Sequence, residues 1–297
     1  MTHLKMINEH ERDTAIVFYE VGHKYKITTD PLSRYQSVTT WCHSHFPKFD
    51  ADKIINGMMR KPDWKPGHKY WGLTKQEIKN KWFNNGSAVS SAGTDLHERI
   101  ELFLNNAECV THNDFLVRYD LTLLLMKEMS DDRGWDNEVV EWKYFINFVR
   151  DNPTLKPYRT EWMIYYEELK LSGSVDMIFE NPDGTLQIYD WKRCESIDNE
   201  SFNGQTAITP CISHLPDTNF WHYSLQLNTY KKIIEEKYGK TITGLYLERL
   251  HPDNPYKTYE RIEVPFLKKE MEDLFRERRR EVEEMENKNS KELHSRL

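Results

Sequence analysis

Between Leu171 and Arg193 the chain reads LSGSVDMIFENPDGTLQIYDWKR. Val175, Met177, Ile178 and Phe179 before the NPDGT turn, and Leu186, Ile188 and Tyr189 after it, predict a β-hairpin. Both strands have the composition of buried strands, yet they carry Asp176, Asp190 and Lys192. An ionised carboxylate in a buried strand is costly unless something pairs with it. Side chains alternate across a strand, so Ile188, Asp190 and Lys192 share one face while Tyr189 and Trp191 point to the other. A hairpin turning at NPDGT sets Asp176 opposite or nearly opposite Asp190, and two carboxylates and an ammonium then converge. Carboxylate oxygens are the ligands that Mg²⁺ or Mn²⁺ prefers. A lysine beside them can hold or deprotonate an attacking water, or neutralise charge that builds up on a phosphate. The plainer alternative is a buried Asp–Lys pair that only fastens two strands.

Three further features bear on that choice. GTDLHERIE places His97 and Glu101 four residues apart on a predicted helix, hence on one face, where they can offer a third ligand. YSLQLNTY gives Gln226 and Tyr230 the same relation on the helix that follows the strands. Gly173, three residues before Asp176, suits a place where a close backbone or phosphate approach excludes a Cβ. Each has a structural alternative: a core histidine, a helix-to-sheet contact, an ordinary strand glycine.

The first ~40 residues read as a small β unit, AIVFYE and HKYKITT about a VG turn. A mostly helical stretch follows to about Asn152, including TDLHERIELFLNN and NEVVEWKYFINFVRD, in which Val139, Trp142, Phe145, Ile146 and Val149 keep helical spacing. YRTEWMIYYE precedes the hairpin as a third strand. HYSLQLNTYKKIIEEKYG reads as a helix stopped by Gly239. TITGLYLERL and KTYERIEV are two more strands, and a charged amphipathic helix from Phe266 frays into a tail, its Arg276–Arg280 run forming a solvated face. The order predicts a mixed α/β layer architecture around one central sheet.

At 297 residues there is ample chain for a core. No apolar run is long enough to span a membrane, and the polar MTHLKMINEHERD start resembles neither a signal nor a transit peptide, so the expected setting is intracellular. Cys42, Cys109, Cys194 and Cys211 are scattered without a C-x-x-C pair, which argues against zinc ribbons, iron–sulfur clusters and a disulfide framework. WCHSHF, with Cys42, His43 and His45, has the look of half a zinc site, but no second pair follows at a standard spacing. The net charge of −7 argues against a wholly basic surface but not against a local groove. Arg60–Phe83 supplies such a region: Trp64, Tyr70, Trp71, Trp82 and Phe83 are interleaved with seven Lys/Arg. Cations for phosphates and flat rings for bases suit single-stranded nucleic acid; an amphipathic helix with a solvated basic face is the other reading.

Taken in order, GTxxHxxIE, GSVD, YDWK and QLNTY resemble the RecB-like branch of the PD-(D/E)XK nuclease superfamily, which includes mitochondrial genome maintenance exonucleases and many phage and large-DNA-virus nucleases. The resemblance covers roughly Gly93 to Val264, and YQSVTTW near the N-terminus is similar to a segment of the viral and mitochondrial members. It implies a restriction-endonuclease-like core over 93–265, with 1–92 as an N-terminal β unit and DNA-gripping helical region and 266–297 as the charged C-terminal helix. It implies Mg²⁺- or Mn²⁺-dependent phosphodiester hydrolysis, with His97, Asp176, Asp190 and the Trp191 backbone carbonyl holding the metal. Lys192 would be catalytic, Gln226 and Tyr230 would orient the strand, and Glu101 and Glu161 are secondary candidates. The four-cysteine iron–sulfur cluster of some relatives has no counterpart in these cysteines, so no cluster is expected. The expectation is a DNA nuclease acting on single-stranded ends, in the cytoplasm or the nucleus of a host cell if viral. Its rivals are an RNA or DNA endonuclease on the same core, or an inactive nucleic-acid-binding module. Polarity, metal count and oligomeric state are not written in these residues.

Overall fold

The computed structural model describes residues 2–105, 139–201 and 204–296; Cys109 and the start of NEVVEWKYF lie outside them. A short helix α1 (His3–Ile7) and a 3-10 turn lead into an antiparallel hairpin, β1 (Ile16–Tyr19) and β2 (Lys24–Ile27). A two-residue strand β3 (Gln36–Ser37) feeds α2 (Val38–Ser44), capped by the Ser37 hydroxyl on the Thr40 amide. Next come α3 (Ala51–Met59), the long α4 (Lys75–Asn105) and α5 (Val140–Asp151). Strands β4 (Lys156–Tyr166), β5 (Leu171–Glu180) and β6 (Leu186–Lys192) are followed by α6 (Asn219–Tyr238), which ends on Gly239 at φ 62° as its C-cap chemistry predicts. Strands β7 (Ile242–Arg249) and β8 (Glu260–Glu263) precede α7 (Lys268–Arg296).

These elements form the expected mixed α/β fold. Among the described residues a six-stranded mixed sheet is flanked by helices, with the N-terminal hairpin as a separate two-stranded unit. β4, β5 and β6 run antiparallel in turn, β6 and β7 are parallel, and β8 returns antiparallel. The parallel pair needs a crossover, and α6 supplies it. On one face α2, α6 and α7 pack on Val175, Ile178, Ile188 and Leu247; on the other the end of α4 and α5 pack on Met177, Phe179, Tyr189 and Trp191. No helix of the described residues is long and apolar enough to cross a membrane.

Three expectations are corrected by packing. The C-terminal helix continues to Arg296 instead of fraying early, and Met271, Leu274, Phe275 and Val282 bury a stripe of its first half. Its basic run is not wholly solvated: Arg278 donates to the Leu169 carbonyl and Arg279 to the Tyr166 hydroxyl. The Arg60–Phe83 stretch is not one amphipathic helix either. It runs through turns to Thr74, where a capping box with Glu77 starts α4. The first part of α4 stands out from the core and packs on α3 through buried Ile55 and Ile78 and a Lys79–Asp52 ion pair. Trp64, Trp71 and Trp82 all stay out of the buried core.

Candidate metal centre

The site forms where the edge of β5 is shared between two partners. β3 pairs with Leu171 and Ser172, and β6 pairs from Met177 onward, so Gly173–Asp176 lies between the two ladders. One step beyond the Met177–Tyr189 pair, Asp176 and Asp190 come opposite each other, as the hairpin predicts. Beyond that pair the ladder gives way to a side-chain bond: Asp176 Oδ2 accepts the Trp191 amide at 3.2 Å.

Across β5, the position facing Asp176 is Glu161 on β4, and Glu161 has a left-handed backbone with φ 42°. A non-glycine residue pays roughly 1–2 kcal/mol for that conformation. Its effect is to turn the strand: Thr160 bonds Asn105 of α4 on one side of the sheet, whereas Trp162 lies in the core beneath α6 on the other. The turn aims the Glu161 carboxylate at the gap in β5, where the Ser174 hydroxyl donates to it at 2.8 Å.

From the other side α4 brings in His97. The ligand atoms of His97, Glu161 and Asp176 all lie within 4.8 Å of one another. His97 Nε2 is 2.9 Å from the Trp191 carbonyl oxygen, and its Nδ1 is 3.5 Å from Asp176 Oδ2. A neutral imidazole that donates its Nε2–H to the carbonyl has only a lone pair on Nδ1. Nδ1 then faces a carboxylate oxygen, and a proton or a cation bound between the two completes the contact. Charge argues the same way. Burial, then Asp176, raises the Glu161 pKa, as two close carboxylates without a counter-ion must. The donor set fits a hard divalent ion.

Asp190 and Lys192 do share the face of Ile188, and they form an ion pair. Asp190 is not one of the three close ligand atoms; it is buried at 2% exposure and turned to Lys192. Burial raises its pKa against the pull of Lys192. Burial works against the charge of Lys192 too, but Asp190 and Asp176 outweigh it and hold its proton on. Lys192 therefore stands as an ammonium, better suited to holding and neutralising than to accepting a proton. The ring of Tyr223 lies 4.4 Å from its Nζ.

The remaining candidates take supporting places. The Trp191 carbonyl serves as the acceptor that orients His97. Gln226 donates to the hydroxyl of Tyr230 at 3.1 Å, and Tyr230 is buried beneath the site. Glu101 lies near enough for its charge to act on Glu161, and burial raises its own pKa, but it is outside the close trio. Read from the sequence, Glu161 ranks below Asp190, and neither Ser174 nor Tyr223 stands out. No periodicity marks them; only Glu161's place on the strand before the hairpin points to it. The WCHSHF zinc reading fails, because its side chains diverge. Cys42 is buried against Thr229, His45 bonds Thr209, and His43 lies against His222. No family model matches the chain, and no curated protein is significantly similar to it.

Proposed function

We propose that the chain is a divalent-metal-dependent nuclease that hydrolyses phosphodiester bonds, acting on single-stranded DNA ends. The observation that carries this reading is the convergence of His97, Glu161 and Asp176 at a break in the sheet, with the Asp190–Lys192 pair alongside. His97, Glu161 and Asp176 would hold the ion. Bound there, Mg²⁺ or Mn²⁺ supplies Lewis-acid polarisation of the phosphoryl group and a water more easily deprotonated at neutral pH. The protein's own part is positioning and charge. The Trp191 carbonyl fixes the tautomer and tilt of His97, Ser174 holds Glu161, and the Lys192 ammonium offsets negative charge as the phosphate is attacked. Asp190 keeps that ammonium in place.

The DNA part of the reading rests on the arm. Trp71 is 45% and Phe83 74% exposed among the lysines of Arg60–Phe83, a surface suited to stacking and phosphate contacts. Trp82 precedes His97 by fifteen residues of continuous helix, about 22 Å at 1.5 Å per residue. The arm therefore holds a strand at a distance from the reacting phosphate instead of lying over it. The deciding experiment incubates labelled linear DNA, circular DNA and RNA with the protein, in Mg²⁺, Mn²⁺ or EDTA. Cleavage of linear single strands that EDTA stops is the expected result. Cleavage of RNA alone, or equal rates on circles and linear strands, would replace the reading with an endonuclease. Binding without cleavage in any metal would leave a nucleic-acid-binding module.

A further inference from the structure

The N-terminal hairpin reaches the metal centre from the side of β4. Ile16 pairs with Ile27 and Phe18 with Tyr25, so these four share the face turned to β4, while Val17, Tyr19, Lys24 and Lys26 are exposed on the other. Tyr25 and Met163 of β4 pack against one cluster made by Ile16, Ile27, Tyr35 and Tyr165. Met163 stands opposite Ser174, the donor to Glu161, and Ile16 and Met163 line the same cavity as Glu161. The hairpin is thus a wall of the site. From that wall Tyr25 lies within electrostatic reach of Glu161, Asp176 and the Tyr230 hydroxyl.

The ring of Tyr25 is held in place. Phe18 lies beside it with centroids 5.0 Å apart, and His23 from the turn meets Phe18 at 84°. Its hydroxyl is not held. Among the described residues it has no hydrogen-bond partner, and it is not one of the buried unpartnered atoms, so this half-buried side chain keeps its donor open to solvent. Glu161 takes the Ser174 hydroxyl and Asp176 the Trp191 amide, and Tyr25 bonds to neither carboxylate. Burial first, then the charges of Glu161 and Asp176, press its pKa up to about 12, which leaves a neutral donor. A lysine or arginine here would pair with those carboxylates and compete with a cation for them. A neutral O–H does not, yet it still donates to an anion.

We infer that Tyr25 is a substrate-binding residue whose hydroxyl donates to a non-bridging oxygen of a strand phosphate next to the one attacked. This rests on the nuclease reading for the strand itself. Because Tyr25 makes no bond to either carboxylate, it stands back from the place of the ion, and the phosphate that it meets is a neighbour of the reacting one. The strand is then held on two sides of the metal centre. α4, which brings His97, carries the arm; β4, which brings Glu161, carries the hairpin. Lys24 and Lys26 on the same short strand add positive charge that offsets the carboxylates for an approaching polyanion.

The test compares the full chain with its Tyr25→Phe variant, which keeps the ring on its cluster and removes only the hydroxyl. Cleavage of a labelled linear oligothymidylate is followed in Mn²⁺, and binding of the same strand by fluorescence anisotropy in Ca²⁺, another hard cation. A set of strands with one neutral methylphosphonate each scans the phosphates. The variant should lose about tenfold in affinity and in kcat/KM, the scale of one hydrogen bond to a charged group, with the loss carried by KM. On one methylphosphonate strand the two proteins should bind alike, because the acceptor over which they differ has lost its charge. The Mn²⁺-induced rise in melting temperature should be the same in both, since Tyr25 holds no metal. A loss that persists on every methylphosphonate strand, or that comes with a smaller Mn²⁺ rise, would overturn the assignment. Cleavage by a wild type that the variant matches in affinity and kcat/KM would keep the nuclease reading and sink the contact. A wild type that binds but never cleaves, with the variant about tenfold weaker, would keep the contact and sink the nuclease reading. A wild type that neither binds nor cleaves would sink both.

Discussion

A Cβ placed on Gly173 would stand 2.8 Å from Cε1 of Tyr230, closer than real Cβ contacts allow. The close approach that this glycine permits is therefore made by a buried tyrosine ring from α6, not by backbone or phosphate. Through its hydroxyl Tyr230 accepts from Gln226, so the glycine sets how deeply that pair sits behind Asp176. Gly173→Ala should cost about 1–3 kcal/mol, the usual penalty of overpacking, and should lower turnover through displacement of the pair. Chemical denaturation and a cleavage assay check both. A variant as stable and active as wild type would mean that the ring moves aside freely.

Glu161→Gln separates the metal from the fold. With no cation, removing one of two close carboxylates relieves repulsion, so the variant should be about 1 kcal/mol more stable than wild type in EDTA. Mn²⁺ should then raise the melting temperature of the wild type and much less that of the variant, because ligand binding stabilises only in proportion to affinity. Equal Mn²⁺ shifts in the two proteins would remove Glu161 from the ligand set. His97→Ala should likewise raise the Mn²⁺ concentration needed for half-maximal activity.

Lys192→Ala should lower cleavage by about a hundredfold or more, the scale seen for a single group that stabilises charge in the transition state. The fold should persist, since the deserted Asp190 can take up a proton. Asp190→Asn is the harsher change, because it leaves a buried ammonium without its closest partner, and breaking a buried pair this way costs roughly 3–5 kcal/mol. Near-normal turnover in Lys192→Ala would remove the lysine from the chemistry.

Stability should fall in mild acid through His45. Its Nδ1 is 2.8 Å from Thr209 Oγ1, while its Nε2 is buried without a partner. Burial, with Arg278 adding to it, presses the pKa from 6.5 down to about 4. The folded state thus keeps the ring neutral where the unfolded chain takes up a proton. The contribution is fully present above about pH 6.5 and is lost as pH falls toward 4, about 2 kcal/mol of it by pH 5. Urea midpoints at pH 7.5 and pH 5 should draw closer together in His45→Gln than in the wild type.

Trp71→Ala should weaken binding of single-stranded DNA by about 1–3 kcal/mol if the ring stacks on a base, with little change in melting temperature, since Trp71 is 45% exposed. A large loss of stability would mark the arm as a packing element. Linear single strands should be degraded faster than circles by the wild type, and that difference should shrink in the Trp71 variant.

Local chemistry by itself determined the two strands around NPDGT, the shared face of Ile188, Asp190 and Lys192, the stop of α6 at Gly239 and the opposition of Asp176 and Asp190. Alternation, turn residues and capping act between neighbours in the chain, so they can be read from it. What only the tertiary structure decided is which groups meet. Glu161 enters the trio because a left-handed backbone at one residue turns β4 and because β5 leaves a gap between β3 and β6. Asp190 turns to Lys192, since a buried carboxylate takes the nearest cation. Gly173 meets Tyr230, and His43 meets His222, because of how α2 and α6 pack on one face of the sheet. Such meetings depend on the summed placement of whole elements, and no spacing within a single segment encodes them.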